Sequence, residues 1–391
     1  MFFGPSHERV ASRRFHDLIV LVVLFVIGQV VTYLAYEATR SGIAVYGVDS
    51  ATYLRAAQTF PNDLAGRNWN SGLIFILWLG RLAGSPTAVL LLCQFVAVLT
   101  AGSMILRVGR HLSTPRLAWA GVVLYLCFPP VAQWTRYVLT DAIFIAGLIT
   151  LVCIFVDDAP SARKIAMASG ITLFLLFLRP NGFLVLPAVL TCVILRNSWR
   201  RRFRNATVAL VWALVALLAL FAGSLQRAYT DDNSFSTAFV RGEVVWNEPS
   251  LNLDMPTPED PVSTNRDIIR YALNHPVAAG QLISARLGLD LIQFRPWYSG
   301  TQNAAILGVM IPFLIFTLVG LTKPISPRLR QAFLVFCVPQ SLVIAASWAS
   351  FEGRQGWWIL GPSIPLFLLG WHFVHLRVSS RIEKLRGLSN E

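Results

Sequence analysis

Two carboxylates and a few arginines sit where a largely apolar chain has least room for charge. Asp49 lies in Gly47-Val48-Asp49-Ser50-Ala51-Thr52-Tyr53-Leu54-Arg55, just after the first long apolar run. Asp141 ends Arg136-Tyr137-Val138-Leu139-Thr140-Asp141 and opens another run. Leu178-Arg179-Pro180-Asn181-Gly182 is a turn between two apolar stretches, and Ser350-Phe351-Glu352-Gly353-Arg354-Gln355 precedes the last one. A carboxylate at such a boundary has the chemistry of a general base. A guanidinium meeting a carboxylate in one cavity can orient a phosphate or a sugar hydroxyl. Arg136 with Asp141 is the pair that the spacing suggests. Arg295, in Phe294-Arg295-Pro296-Trp297-Tyr298, and Arg354 are further candidates for holding a phosphate.

Each of these residues also has a plain structural role open to it. An Asp followed by Ser makes a helix N-cap, so Asp49 suits that place. A first-turn Asp favours the helix dipole, which accounts for Asp141. Pro180 and Gly182 supply turn chemistry without needing Arg179 or Asn181. Glu352 and Arg354 suit a loop anchored in water. No Walker A loop, G-x-G-x-x-G, HExxH or G-x-S-x-G occurs in the chain, and none of the five cysteines has metal-ligand spacing.

The elements that hold these residues follow from composition. Of 391 residues 55% are apolar and only 14% charged, against about 25% charged in an ordinary soluble domain. This excludes a soluble cytosolic enzyme, a disordered chain and a fibrous repeat. An all-α, polytopic membrane protein remains, because uncharged apolar stretches recur along the whole chain. About ten transmembrane helices are expected, at 17–36, 87–106, 117–133, 141–156, 165–178, 182–196, 206–224, 302–321, 331–348 and 357–376. They form one domain over 1–391, with interfacial helices in the first outer loop (37–86, including 70–83) and in the long outer loop (225–301, including 263–275 and 277–294).

Lys and Arg then set the orientation, because they are retained in the cytoplasm. They concentrate in 1–16, 107–116, 157–164, 196–205, 322–330 and 377–391. Both termini are therefore expected in the cytoplasm and the chemical residues on the outer face of a plasma (inner) membrane. The net charge of +13 and the pI near 10.1 read as a topology signal, not as a nucleic-acid surface. Alternatives for such a chain are a transporter or lipid flippase, or a ligase or polymerase of lipid-linked glycans. A transporter would place its ionisable groups near the midplane on broken, symmetric helices.

Taken in order, these motifs resemble the GT-C superfamily of integral-membrane glycosyltransferases, and within it the branch of protein O-mannosyltransferases and lipid A aminoarabinose transferases. The resemblance spans most of the chain: an Asp after the first span, R-Y-x-x-x-D, L-R-P-N-G, a long outer loop ending in aromatics and Arg, and E-x-R before a Pro-containing final span. It implies a GT-C-like fold and a polyprenyl-phosphate-linked sugar as donor. The acceptor would be a hydroxyl on a lipid, glycan or protein, and membrane lipids would surround the chain. It also implies Asp49 as catalytic base and Asp141 as a second active-site acid. Arg295 or Arg354, with Arg136 or Arg179, would hold the phosphate. Tyr137, Asn181 and Glu352 are further binding candidates, and Tyr53 and Arg55 are candidate supports. The family's first-loop motif often carries a second acid, where this chain has Ser50 and Ala51. That favours a reaction without a cofactor, a divalent metal being the alternative.

Overall fold

The computed structural model describes residues 7–36, 44–46, 49–61, 70–156, 161–196, 238–245, 248–258, 265–323, 326–347 and 354–388, with 205, 207–208, 211–212 and 262 besides. The described chain is helical. An isolated parallel bridge pairs Val45 with Tyr137. The elements are α1 (His7–Tyr36), α2 (Ser50–Thr59), α3 (Ser71–Leu82), α4 (Pro86–Leu112), α5 (Pro115–Cys127), α6 (Pro129–Ala132), α7 (Asp141–Ile154), α8 (Ala162–Leu178), α9 (Val185–Arg196), α10 (Asn265–Asn274), α11 (Pro276–Ile292), α12 (Gly300–Thr322), α13 (Pro327–Ser347) and α14 (Trp357–Leu388).

Four of these helices are long and apolar enough to cross a membrane: Arg14–Ala35 of α1, α4, α12, and Trp357–Ile382 of α14. A fifth arises if α5 and Pro129–Thr135, bent by 55° at the break, count as one span. Several other expected spans are shorter or interrupted. Pro129 and Pro130 break 117–133, since proline cannot continue the helix ladder. The helices α7, α8 and α9 have 14, 17 and 12 residues, below the roughly 20 that a straight span requires. Pro339 lies inside α13, which runs on through it. The expected span 206–224 lies almost wholly outside the described residues. The two helices expected in the long loop are α10 and α11, and 70–83 is α3.

The core is built around α7. Its sequence DAIFIAGLITLVCI has no polar face, and every residue but Gly147 is buried. A helix apolar on all sides belongs inside a bundle. It packs against α4, α8 and α14, while α12 runs along α14. At that last contact the backbones touch. A Cβ on Gly320 would fall 2.1 Å from the Leu366 carbonyl oxygen, and one on Gly370 would meet that of Phe316. Small residues at such crossings permit the approach from which packing energy comes. Replacing Gly370 by Leu is therefore expected to force the helices apart, costing about 1–3 kcal/mol. A lowered thermal midpoint of the detergent-solubilised protein would register this, and an unchanged midpoint would contradict it.

Candidate functional site

The segment between α1 and α2 is stitched to the one before α7 by backbone and buried polar bonds. Val45 N–H donates to the Arg136 carbonyl and Val138 N–H to that of Val45, each at 2.9 Å. Ser50, fully buried, donates its hydroxyl to the Val138 carbonyl at 3.0 Å. From α4, Gln94 Nε2 donates to the carbonyls of Tyr137 and Leu139, at 2.9 and 3.0 Å. Residues 137–139 thus lie between α4 and the start of α2. Asp49 and Asp141, distant in the chain, come to the same end of the bundle.

Asp49 occupies the N-cap position of α2 but does not cap it. Its backbone is helical (φ −75°, ψ −19°) and its side chain accepts no capping bond. The capping role open to it in sequence is thus corrected: the neighbouring Ser50 turns inward to tie the loop, and the Asp49 side chain stays exposed.

Asp141 is at the first position of α7, its side chain 1% exposed. Arg179 Nη1 donates to Asp141 Oδ1 at 2.5 Å. Arg354 Nη1 stands 3.8 Å from Asp141 Oδ2, which accepts no hydrogen bond. Arg354 is 8% and Arg179 14% exposed. The Arg179 guanidinium also lies over the ring of Trp358, 4.4 Å from its centroid, a cation–π contact that fixes its plane. Two arginines from different turns thus face one buried carboxylate. The trio carries a net charge of +1.

Tyr53 joins this cluster. It lies one turn after Asp49 on α2, its N–H donating to the Asp49 carbonyl at 3.1 Å. Burial raises the pKa of its hydroxyl to about 12 and Asp49 adds to this. Arg179 and Arg354 pull it back, and Asp141 raises it. All four charges therefore act on one phenol, which stays neutral at physiological pH. It is a hydrogen-bond donor there and no base.

The turn at 179–182 is held by reciprocal amides. Asn181 Nδ2 donates to Gln340 Oε1 at 2.8 Å, and Gln340 Nε2 donates to the Asn181 carbonyl at 3.1 Å. Gln340 is buried in α13. Asn181 therefore positions Arg179. A double-mutant cycle of Asn181→Ala and Gln340→Ala is expected to show a coupling of about 0.5–3 kcal/mol. Independent, additive losses would contradict that pairing.

Other candidates lie elsewhere. Arg136 sits over the ring of Tyr33 of α1, 5.5 Å from its centroid. The expected Arg136–Asp141 pair is therefore replaced by Arg179–Asp141, because the 136–138 backbone bonds fix the loop while Asp141 turns into the bundle. Tyr137 is buried against Trp134. Arg295, 1% exposed, closes the end of α11: its guanidinium lies 3.5 Å from Asp290 and donates to the carbonyls of Leu289 and Phe294. Its backbone is held by Asn303 of α12. This end of α11 braces the Arg354 segment, since a Cβ on Gly356 would fall 2.0 Å from the Asp290 carbonyl. Arg55 is exposed on α2. Glu352 lies outside the described residues.

Sequence reasoning missed Ser50, Gln94, Gln340 and the stacking role of Trp358. Gln94 and Gln340 carried a usable signal, as polar residues within apolar runs face inward and make bonds. Among the described residues, no three His, Cys, Asp or Glu side chains come together as a metal site. No protein family, curated protein or solved structure matches the chain.

Proposed function

We propose that the chain is a membrane glycosyltransferase with a GT-C-like topology of about ten spans. It moves a sugar from a polyprenyl-phosphate donor to a hydroxyl on the extracytoplasmic face of the plasma membrane. The observation that carries this reading is the convergence of Asp49, Tyr53, Asp141, Arg179 and Arg354 at one end of the bundle. A phosphodiester is an anion, and the guanidinium groups of Arg179 and Arg354 in this cluster can face it. As the sugar–oxygen bond breaks, the leaving polyprenyl phosphate gains a second negative charge. Guanidinium groups already in place stabilise that charge without reorganising.

The step balances with residues of this chain. The acceptor oxygen forms a bond to the anomeric carbon while the bond from that carbon to the phosphate oxygen breaks. The phosphate departs with the electron pair. The acceptor proton goes to the exposed carboxylate of Asp49, a general base. Asp141 is held by Arg179, so its role is to fix the two arginines, and Tyr53 offers a neutral donor to a sugar or phosphate oxygen. Arg354 is the phosphate ligand in this reading, with Arg179 beside it, both facing the buried Asp141 carboxylate. Arg295 holds the end of α11 and supports the Arg354 segment from behind.

The test is a donor panel on purified, reconstituted protein. Transfer of a single labelled sugar from a synthetic polyprenyl monophosphate sugar to membrane acceptors is expected. Transfer only from diphosphate-linked oligosaccharide would support a ligase or polymerase instead. No covalent transfer, with movement of the lipid between leaflets, would support a flippase.

A further inference from the structure

A large recess lies away from this site. It has a volume of about 1220 Å³ and lies at the opposite end of the bundle, between the start of α1, the end of α4 and the start of α8. Three helices measure the separation. Gln94 and Arg110 sit on α4, Tyr33 and Asp17 on α1, and Arg179 and Lys164 at the two ends of α8. In each case the first residue belongs to or borders the Asp141 end and the second lines the recess. At about 1.5 Å per residue each pair is roughly 22–24 Å apart, close to the thickness of a bilayer core.

The recess is strongly basic. Among the described residues Arg14, Arg107, Arg110, Arg163 and Lys164 line it, with one acid, Asp17. Asp17 is committed to Arg110, whose Nη1 and Nη2 donate to its two carboxylate oxygens at 2.6 and 2.8 Å. Arg110 also lies over the Trp119 ring. One arginine is thus fixed in place, and Arg14, Arg107 and Arg163 stand with it around the recess. These cations come to one recess from three helices far apart in sequence. Between them the walls are apolar. Leu18 is 49% and Met167 43% exposed, so the recess has an oily side.

We propose that this recess is a binding site for a phosphate-bearing anion, and that its occupant is the headgroup of an anionic glycerophospholipid. The cations match the headgroup phosphate, and the exposed Leu18 and Met167 match the first carbons of its acyl chains. Basic pockets between membrane helices take such headgroups. A free phosphate would use the cations and leave the apolar wall in water. The proposal stands on its own residues, whether or not the Asp141 end catalyses transfer.

The full chain, purified in detergent, would be titrated with phosphatidylglycerol, phosphatidylcholine and inorganic phosphate, and followed by native mass spectrometry and thermal midpoint. Wild type is expected to retain and be stabilised by phosphatidylglycerol over phosphatidylcholine. The double variant Arg107→Gln/Arg163→Gln removes two exposed cations and is expected to weaken that binding roughly tenfold or more. Arg381→Gln, an exposed cation on α14 outside the recess, is the control and is expected to bind as wild type. Equal loss in the control, or no loss in the double variant, would overturn the proposal. Saturation by inorganic phosphate with no lipid preference would overturn the lipid assignment and leave a free-anion site.

Discussion

On the proposed function, Asp49→Asn is expected to lower sugar transfer by about 10²–10⁴-fold, the range that a positioned general base contributes, and to leave the fold intact. Both halves follow from the geometry. The Asp49 side chain is exposed and makes no capping bond, so its loss costs the fold within about 0.5 kcal/mol. Donor binding also survives, because the arginines are untouched. The measurement is initial transfer rate beside the thermal midpoint and donor affinity, on the same preparation. Transfer at the wild-type rate would remove Asp49 as base. A collapse of the midpoint would mean that Asp49 holds the loop.

Asp141→Ala is expected to damage the fold as well as the reaction. Its carboxylate is buried between Arg179 and Arg354. Removing one partner of a buried pair leaves a charge uncompensated and costs about 3–5 kcal/mol. The partial exposure of Arg179 puts the value at the lower end. The double variant Asp141→Ala/Arg179→Met removes both charges of the tight pair and is expected to regain much of the stability but none of the transfer. Denaturant unfolding of the single and double variants separates these outcomes. Losses that simply add would show that the pair is not coupled, and wild-type transfer by the double variant would take the pair out of the site.

Much of this was legible in the sequence, and particular residues show why. The apolar content of the chain dictates helices, since a segment among lipids must satisfy its own backbone. Asp141 at the head of α7 and the amphipathic helices of the long loop follow from caps and periodicity. The pairing did not follow. Arg136 lies five residues from Asp141, and proximity in sequence suggested it as partner. Arg179 reaches the carboxylate instead, because α7 and α8 are adjacent antiparallel helices and the 179–182 turn returns to the head of α7. Sequence spacing carries no such information between helices. Ser50 next to Asp49 pointed to a cap for a local reason, while the long-range bond to Val138 turned it inward. Arg295, in an aromatic and arginine cluster, had the look of an interface ligand. Its guanidinium is instead committed to the end of its own helix.

The number of spans shows a second limit. Composition marks apolar stretches but not their breaks. The prolines at 129 and 130 divide one stretch, and the short α7 gains its place from burial by neighbours and not from length.

The most direct test of the central claim is a cryo-EM map of the full protein with a polyprenyl monophosphate bound. The account predicts phosphate density within hydrogen-bond distance of the Arg354 guanidinium, beside Arg179 and Trp358, with Asp49 and Tyr53 facing the same space. Phosphate density at Arg295, or with the Asp49 carboxylate turned away from it, would contradict the account.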